Sequence, residues 1–164
     1  MRARPSPDIR PSRTADRQAV IDILDDTFVS TWKPNITANA AKRFHAEQRP
    51  ARYFDLRGDQ FMIAELDGKP AGFVDWEGDF IHALHVHSAY ARCGVGSALL
   101  TLAEREIAAS DRTRARLETD TFNTRSRAFY KKHGYVETDR YPDEEWHSGL
   151  TTILLEKPLL HRSR

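Results

Sequence analysis

Two glycines, Gly94 and Gly96, separate a segment with the pattern of a strand from a segment with the pattern of a helix. Apolar or small residues precede them at Ala83, Leu84 and Val86. After them, apolar residues recur at a three-to-four spacing, at Val95, Ala98, Leu99, Leu102 and Ala103. The first turn of a helix presents free backbone N–H groups and the positive end of the helix dipole, and glycine lets a phosphate come close. The spacing therefore predicts an anion site, with a plain packing turn as the alternative.

A resemblance to the GNAT superfamily of N-acyltransferases rests on two segments. Residues 81–100, IHALHVHSAYARCGVGSALL, are similar to the family's acyl-CoA signature at Leu84, Val86, Gly94, Gly96, Ser97, Leu99 and Leu100. Residues 115–140 resemble a second family block at Leu117, Asn123, Phe129, Tyr130, Gly134 and Tyr135. Two positions depart from the signature, because Ala91 replaces the usual Gln or Arg and Arg92 replaces a frequent Gly.

The resemblance implies an α/β (α+β) protein with the GNAT fold. That fold has a central mixed, mostly antiparallel sheet with a splayed parallel strand pair, flanked by about four helices. Strand patterns at residues 60–66, 71–76, 80–87, 114–119, 135–139 and 151–156 agree with this expectation. We expect one acyltransferase domain over residues 8–159, after a flexible lead-in at 1–7 and before a short tail at 160–164.

The same resemblance implies that acetyl-CoA is the acyl donor and cosubstrate. The backbone of Leu84, His85 and Val86 is expected to receive pantetheine, which pairs with the strand as an added strand would. The pyrophosphate is expected on the backbone of Cys93, Gly94, Val95, Gly96 and Ser97, with Arg92 as a candidate cation. The match adds Asn123 and Tyr130 to the expected cofactor site. Cys93 is expected to be a spacer, because the family transfers acyl groups directly.

Tyr130 occupies the family's tyrosine position and is the candidate general acid. A phenol with a pKa near 10 can protonate a leaving thiolate. The alternative is an aromatic side chain that only packs beside Phe129. A backbone N–H near Val86 is the candidate donor for the oxyanion of the tetrahedral intermediate.

The general base is less well defined by the residues. Many relatives carry a glutamate early in the strand before the glycines, and that position here is Phe80. His82 follows two residues later and could deprotonate an amine through a water, since its ordinary pKa lies near 6.5. The alternatives are Asp79, Glu77 and Glu118, or a histidine with only a structural role.

A metal site is not expected from the three histidines of this strand. Regular alternation puts His85 and His87 on one face and His82 on the other, so the three could converge only if the strand bulged.

Two features could border the acceptor. Trp32 forms either a pocket wall or part of the core, and we expect the core. The segment from Tyr141 to His147 carries three carboxylates that would attract a cationic amine, or it is simply a solvated hairpin loop.

Composition narrows the classes of partner. The chain has 164 residues, 30% of them charged, with a net charge of +1, which predicts neither nucleic acid nor a membrane surface as the main partner. One cysteine excludes an internal disulfide framework, and the N-terminus has no secretory apolar region, so we expect a cytoplasmic protein. Exposed edge strands are compatible with a homodimer.

We therefore expect an N-acetyltransferase that moves an acetyl group from acetyl-CoA to a primary amine by direct attack in a ternary complex. We expect the acceptor to be a small-molecule or peptide amine, and the sequence does not identify it. Two alternatives remain open. One is a catalytically inactive CoA-binding regulatory or interaction module, and the other is an acyltransferase for longer acyl groups.

Overall fold

Seven strands form the centre of the protein in a computed structural model that describes residues 6–144 and 148–160. The strands are β1 (Asp8–Pro11), β2 (Met62–Leu66), β3 (Lys69–Glu77), β4 (Phe80–Val86), β5 (Arg114–Asp120), β6 (Val136–Pro142) and β7 (Thr151–Pro158). They form one sheet in the order β1-β2-β3-β4-β5-β7-β6. Only β4 and β5 are parallel neighbours, so the mixed, mostly antiparallel sheet is confirmed.

The helices of the described residues are α1 (Arg17–Thr27), α2 (Ala38–Ala46), α3 (Arg49–Arg57), α4 (Val95–Ala109) and α5 (Thr124–Lys132). Thr37 caps α2, since its Oγ1 accepts a hydrogen bond from the N–H of Ala40 at 3.1 Å. The sequence patterns missed α3. No glycine marks the junction between α2 and α3; instead Gln48 adopts a left-handed conformation with φ 49°. Pro50 lies in the first turn of α3, where proline is tolerated.

Both faces of the sheet are covered by helices. On one face, α4 buries Leu99, Leu100, Ala103 and Ile107 against the sheet. On the other face, α1 and α3 pack on aromatic and aliphatic side chains, with a cluster formed by Val20, Ile23, Phe54, Phe61, Ile63, Phe73 and Ala83. The apolar faces of α1, α3 and α4 therefore hold the sheet between two helical layers.

The parallel pair separates soon after it begins. Pairing between β4 and β5 is confined to Phe80 with Arg116 and Ile81 with Leu117. Asp79 holds the start of the pair, because its carboxylate accepts from the Arg116 guanidinium at 2.9 Å and its backbone oxygen accepts from the Arg116 N–H at 2.8 Å. Beyond Ile81, the edge of β4 that faces β5 has no strand partner.

A β-bulge in β4 changes which residues share a face. Asp75 pairs with Ala83 and Trp76 pairs with Ile81, so His82 is an extra residue without an opposite on β3. Ile81 packs in the core under α4, whereas Ala83 packs in the core under α1 and α3. In a regular strand these two residues would lie on the same face.

The bulge overturns one expectation from alternation. His82 lies 4.0 Å from Glu77, which is tied to Arg57 of α3. His85 and His87 contact Thr27 and Asp26 of α1. The prediction that His82 points away from the other two histidines is therefore wrong, because the extra residue brings all three to the α1–α3 side.

The predicted lead-in and tail fall mostly on residues 1–5 and 161–164, which lie outside the described residues. Within the part of the chain that is described, no helix combines the length and the apolar character that crossing a membrane requires.

Candidate active site

A cleft of about 1250 Å³ opens where β4 and β5 diverge. This volume exceeds that of the pockets that usually bind drug-sized ligands. Among the residues predicted for the site, the cleft is lined by His82, Leu84, His85, Val86, Arg92, Gly94, Val95, Gly96, Ser97, Asn123 and Tyr130. Cys93 is exposed and is not among the lining residues. The structure therefore brings two distant sequence segments to one cavity.

The free edge of β4 presents backbone hydrogen-bonding groups to the cleft. The N–H of His87 donates to the carbonyl of Ala71 on the β3 side at 2.9 Å. Hydrogen-bonded pairs alternate along an antiparallel ladder, so the N–H and C=O groups of Leu84 and Val86 point into the gap. The same alternation directs the backbone groups of His85 toward β3, and the His85 side chain lies on the α1 face of the sheet, with its Nδ1 3.3 Å from the Thr27 hydroxyl.

The N-terminus of α4 supplies a second row of donors. The N–H of Ala98 is the first to bond within the helix, to the carbonyl of Gly94 at 3.1 Å. The N–H groups of Val95, Gly96 and Ser97 therefore have no acceptor inside α4. Such a turn binds anions through these donors and through the helix dipole.

The two glycines serve this turn in different ways. Gly94 has φ +80°, a conformation that residues with a side chain rarely adopt, and a Cβ there would meet nothing within 4 Å. At Gly96, a Cβ would lie 3.4 Å from the Phe129 ring and 3.7 Å from Val86. A larger side chain at Gly96 would therefore enter the space between α4, α5 and β4.

The start of α5 closes this end of the cleft. Asn123 is the N-cap of α5, because its Oδ1 accepts a hydrogen bond from the N–H of Ser126 at 3.1 Å. His133, at the end of α5, has its Nδ1 2.8 Å from the Phe129 carbonyl and its Nε2 3.1 Å from the Ser97 hydroxyl. These contacts fix α5 against the first turn of α4.

Tyr130 combines the two interpretations made from the sequence. Its ring packs against Phe129 and Tyr135, with centroids 5.2 and 5.6 Å away, and it also lines the cleft. Burial raises the pKa of the Tyr130 phenol above its ordinary value. The hydroxyl therefore keeps its proton at neutral pH.

The candidate general bases differ in the hydrogen bonds and ion pairs that already occupy them. Asp79 is engaged by Arg116, and this hydrogen bond lowers the pKa of the Asp79 carboxyl. Glu118 accepts from the Tyr141 hydroxyl at 2.8 Å. His82 lines a small recess together with Tyr53, Phe80, Ile81 and Glu118, at the point where the parallel pair separates. Asp79 is thus the least available of these groups.

Trp32 lies in the wall of the cleft, and the expectation of a core position is wrong. The residue ends a π-helical turn, Phe28–Trp32, that continues α1. Its indole N–H donates to Oδ2 of Asp120 at 3.0 Å, and its ring lies 5.7 Å from the ring of His85. We refer to Trp32, His85 and Asp120 as the Trp32 cluster.

Asp120 is a cleft residue that the sequence reasoning missed. It is the last residue of β5, and burial raises the pKa of its carboxyl. Its position at the carboxyl end of a parallel strand is a signal that could have identified it, because ligands of α/β sheets bind at that end. Burial also lowers the pKa of His85 in the same cluster to about 4, so its imidazole is neutral at pH 7.

Within residues 6–144 and 148–160, no three histidine, cysteine or acidic side chains are arranged to hold a metal ion. The structure describes residues 141–144 of the acidic segment that could border the acceptor. Asp143 accepts hydrogen bonds from the backbone and hydroxyl of Ser148 and lines the cleft. Residues 145–147 of that loop lie outside the described residues.

Comparisons with known proteins agree with this architecture. A search of curated proteins found no significant match. The GCN5-related N-acetyltransferase of Rhodopseudomonas palustris has a TM-score of 0.80 at 22% identity, over 97% of this chain and 99% of that chain. The PaiA N-acetyltransferase of Thermoplasma acidophilum, solved with coenzyme A, has a TM-score of 0.74 at 18% identity, over 93% and 99% of the two chains.

A third similar structure is YncA of Salmonella typhimurium, solved with its cofactor acetyl-CoA. Its TM-score is 0.69 at 16% identity, over 98% of each chain. The sequence profile of the acetyltransferase (GNAT) family matches residues 18–135, well over half of the chain. The chain therefore belongs to the acetyltransferase (GNAT) family.

Proposed function

We propose that this protein is an acetyl-CoA-dependent N-acetyltransferase that acts on a primary amine within a ternary complex. The observation that carries the proposal is the free edge of β4 beside the unpaired first turn of α4, with Tyr130 in the same cleft. Two similar proteins were solved with coenzyme A or acetyl-CoA. The residues of this chain offer the donors that such a cosubstrate needs.

Acetyl-CoA would bind along two backbone surfaces. The N–H and C=O groups of Leu84 and Val86 would pair with the amides of pantetheine. The N–H groups of Val95, Gly96 and Ser97 would hold the pyrophosphate, and Arg92, which lines the same cleft, would add a positive charge. The open space beside Gly94, where a Cβ would meet nothing within 4 Å, would admit the phosphate oxygens.

The reaction would proceed by direct attack of the amine on the thioester carbonyl. The C–N bond forms, the oxyanion accepts a hydrogen bond from a backbone N–H of β4 near Val86 that does not pair with pantetheine, and the C–S bond then breaks. Tyr130 protonates the leaving thiolate. The surroundings that raise the pKa of Tyr130 also penalise a bare thiolate, which favours protonation of the leaving sulfur.

A primary amine is protonated at neutral pH and must lose that proton before the attack, because an ammonium nitrogen has no lone pair. His82 is the proposed base, acting through a water, because it stands at the bulge where the parallel pair opens and remains 35% exposed. That exposure lets the imidazole return its proton to solvent. Glu118 lines the same recess and is the alternative base.

The first experiment is a calorimetric titration with acetyl-CoA of the wild type and of Gly96→Val. We expect one-to-one binding by the wild type and a loss of roughly 100-fold or more in the variant, since about two charge-assisted hydrogen bonds to phosphate are lost. Thr101→Val is the matched control, because it introduces valine at an exposed position of the same helix. Unchanged binding by Gly96→Val would refute the phosphate site.

An amine screen by release of free CoA then tests catalysis. Transfer to a primary amine would support the enzyme. Tight acetyl-CoA binding without transfer to any amine would favour the CoA-binding regulatory module instead. Affinity that rises with acyl length would point to a longer acyl donor, because each buried methylene adds about 0.8 kcal/mol.

A further inference from the structure

Asp120 lies across the gap of the parallel pair from the part of β4 that is proposed to receive the thioester. Ile81 pairs with Leu117, and three residues further along each strand are Leu84 and Asp120. The extra residue of the β4 bulge shifts this level by at most one residue, to His85. Asp120 is therefore level with the backbone groups of β4 that would hold the acetyl end of the cosubstrate.

The carboxylate of Asp120 lies on the α1 side of this gap, opposite the helix that is proposed to hold the phosphates. Trp32, which continues α1, donates its indole N–H to Oδ2 of Asp120 at 3.0 Å, and its ring lies 5.7 Å from the ring of His85. Leu117 and Thr119 of the same strand face the other way, toward α4 and α5. A ligand at Asp120 would therefore reach the thioester carbonyl from the side that the cosubstrate leaves open, an arrangement that direct attack requires.

One carboxylate oxygen of Asp120 is available to such a ligand. Oδ2 accepts the Trp32 N–H, whereas Oδ1 has no hydrogen-bond partner within residues 6–144 and 148–160. No lysine, arginine or histidine in this part of the chain forms an ion pair with Asp120. The side chain lines the cleft, and the indole hydrogen bond fixes its orientation. Asp120 therefore presents one oriented acceptor atom to a group that binds beside the thioester.

The surroundings of Asp120 make its negative charge costly. Burial raises the pKa of its carboxyl, and the carboxylates of Asp143 and Glu118 raise it further, against the effect of the Trp32 hydrogen bond. The neighbouring imidazole cannot supply a positive charge, since burial lowers the pKa of His85 to about 4. A partly desolvated anion gains stability from a cation placed beside it.

The acceptor amine itself can supply this cation. An aliphatic amine has a pKa near 10, so at pH 7 only about one molecule in a thousand is unprotonated. A site that bound only the free base would depend on this scarce form. A carboxylate beside the thioester binds the ammonium ion that predominates in solution.

We propose that Asp120, oriented by Trp32, binds the ammonium form of the amine that is acetylated, and so selects strongly basic aliphatic amines over weakly basic aromatic ones. This specificity rests on the proposed N-acetyltransferase function. One N–H of the ammonium group donates to Oδ1 of Asp120. A second N–H bond breaks, its proton passes through water to His82 on the same side of the sheet, and the electron pair left on nitrogen attacks the thioester carbonyl. An aromatic amine is neutral at pH 7 and leaves Asp120 without a cation.

The first test is a calorimetric titration of the CoA-loaded protein with benzylamine and with benzyl alcohol. The two ligands have nearly the same shape, only benzylamine is positively charged, and no turnover takes place. We expect the wild type to bind benzylamine at least about tenfold more tightly, as for one partly buried ion pair. In Asp120→Asn this difference should disappear, while the affinities for benzyl alcohol and for CoA stay unchanged.

Two further variants accompany this titration. Asp139→Asn is the matched control and should keep the full difference, because it removes an exposed carboxylate that does not line the cleft. Trp32→Phe keeps a ring but removes the N–H, and it should lose part of the difference. Equal binding of the two ligands by the wild type, or binding of neither, would overturn the proposal, and so would an undiminished difference in Asp120→Asn.

Kinetics add a measurement that a purely structural role of Asp120 would not explain. Asp120→Asn should raise KM for benzylamine by at least about tenfold and leave the inhibition constant of aniline, which is neutral at pH 7, within about twofold. A similar weakening for both ligands would give Asp120 a structural role and contradict the proposal.

The specificity and the reaction can fail separately in these experiments. If benzylamine binds through Asp120 but receives no acetyl group, only the proposed reaction fails. If the wild type acetylates benzylamine yet binds it no more tightly than benzyl alcohol, only the specificity fails.

Discussion

At the α4 end of the cleft, the groups available to a ligand are the backbone N–H groups of Val95, Gly96 and Ser97. At the other end they are the side chains of the Trp32 cluster, which come from three separate elements. The first end needs only a local conformation, whereas the second needs the tertiary packing of α1 on the sheet. We therefore expect ligand affinity at the α4 end to depend on glycine, and the Trp32 end to depend on how its helices are attached.

The largest expected effect concerns the attachment of α3, which packs with α1 on the same face of the sheet. Asp75 is fully buried and accepts the hydroxyl of Tyr53 and both Nε and Nη2 of Arg57, at 2.8 and 2.9 Å for the arginine. Asp75→Ala leaves the Tyr53 hydroxyl without its acceptor and Arg57 with only its exposed partner Glu77, and should destabilise the protein by about 3–5 kcal/mol in urea unfolding. Glu77→Ala removes the 69% exposed partner of Arg57 and should cost less than about 1 kcal/mol. Equal losses in the two variants would contradict a helix layer held by a buried charge.

The second effect tests the chemistry between the two ends. Tyr130→Phe should lower kcat by about 100-fold, the usual contribution of a general acid, and leave the dissociation constant of acetyl-CoA nearly unchanged. Tyr135→Phe is the control, because its hydroxyl donates to Glu104 on α4 and does not line the cleft. A Tyr130→Phe enzyme with wild-type kcat would leave Tyr130 with a packing role alone.

The smallest effect is a dependence of stability on pH at the Trp32 cluster. His85 stays neutral down to a pKa of about 4 in the folded protein, while an unfolded chain protonates it near 6.5. The free energy of unfolding is therefore unaffected by this group above about pH 6.5 and decreases as the pH falls toward 4, because the unfolded chain then binds the proton more readily. Between pH 7 and pH 5 we expect a loss of about 1–2 kcal/mol in urea unfolding. His85→Gln should show correspondingly less loss, and an identical pH dependence in both proteins would exclude His85 as its source.

The difference between the α4 end and the Trp32 end of the cleft also explains which features could be predicted from the sequence. The α4 turn was predictable, because Gly94 supplies a positive φ and Gly96 leaves out a side chain, and both requirements are local. The antiparallel strands and the N-cap at Asn123 were predictable for the same reason. Local patterns carry such features directly.

The remaining features depend on contacts between distant residues. The residue types of β4 do not indicate the bulge at His82. Because of the bulge, Ile81 and Ala83 lie on opposite faces of the sheet, whereas regular alternation would place them on the same face. The helix α3 begins after Gln48, whose left-handed conformation gave no glycine signal. Trp32 and Asp120 are 88 positions apart, and only the folded chain brings the indole to the carboxylate.

The π-helical turn that carries Trp32 makes one wall of the cleft depend on the length of this segment. Such a turn holds one more residue than an α-helical turn, and each residue of an α-helix rotates the next by about 100°. Removing a single residue between Phe28 and Trp32 would restore the ordinary helix and swing the indole away from Asp120. A change in segment length alone, with no substitution in the cleft, would then replace this wall of the cleft and leave the α4 turn untouched.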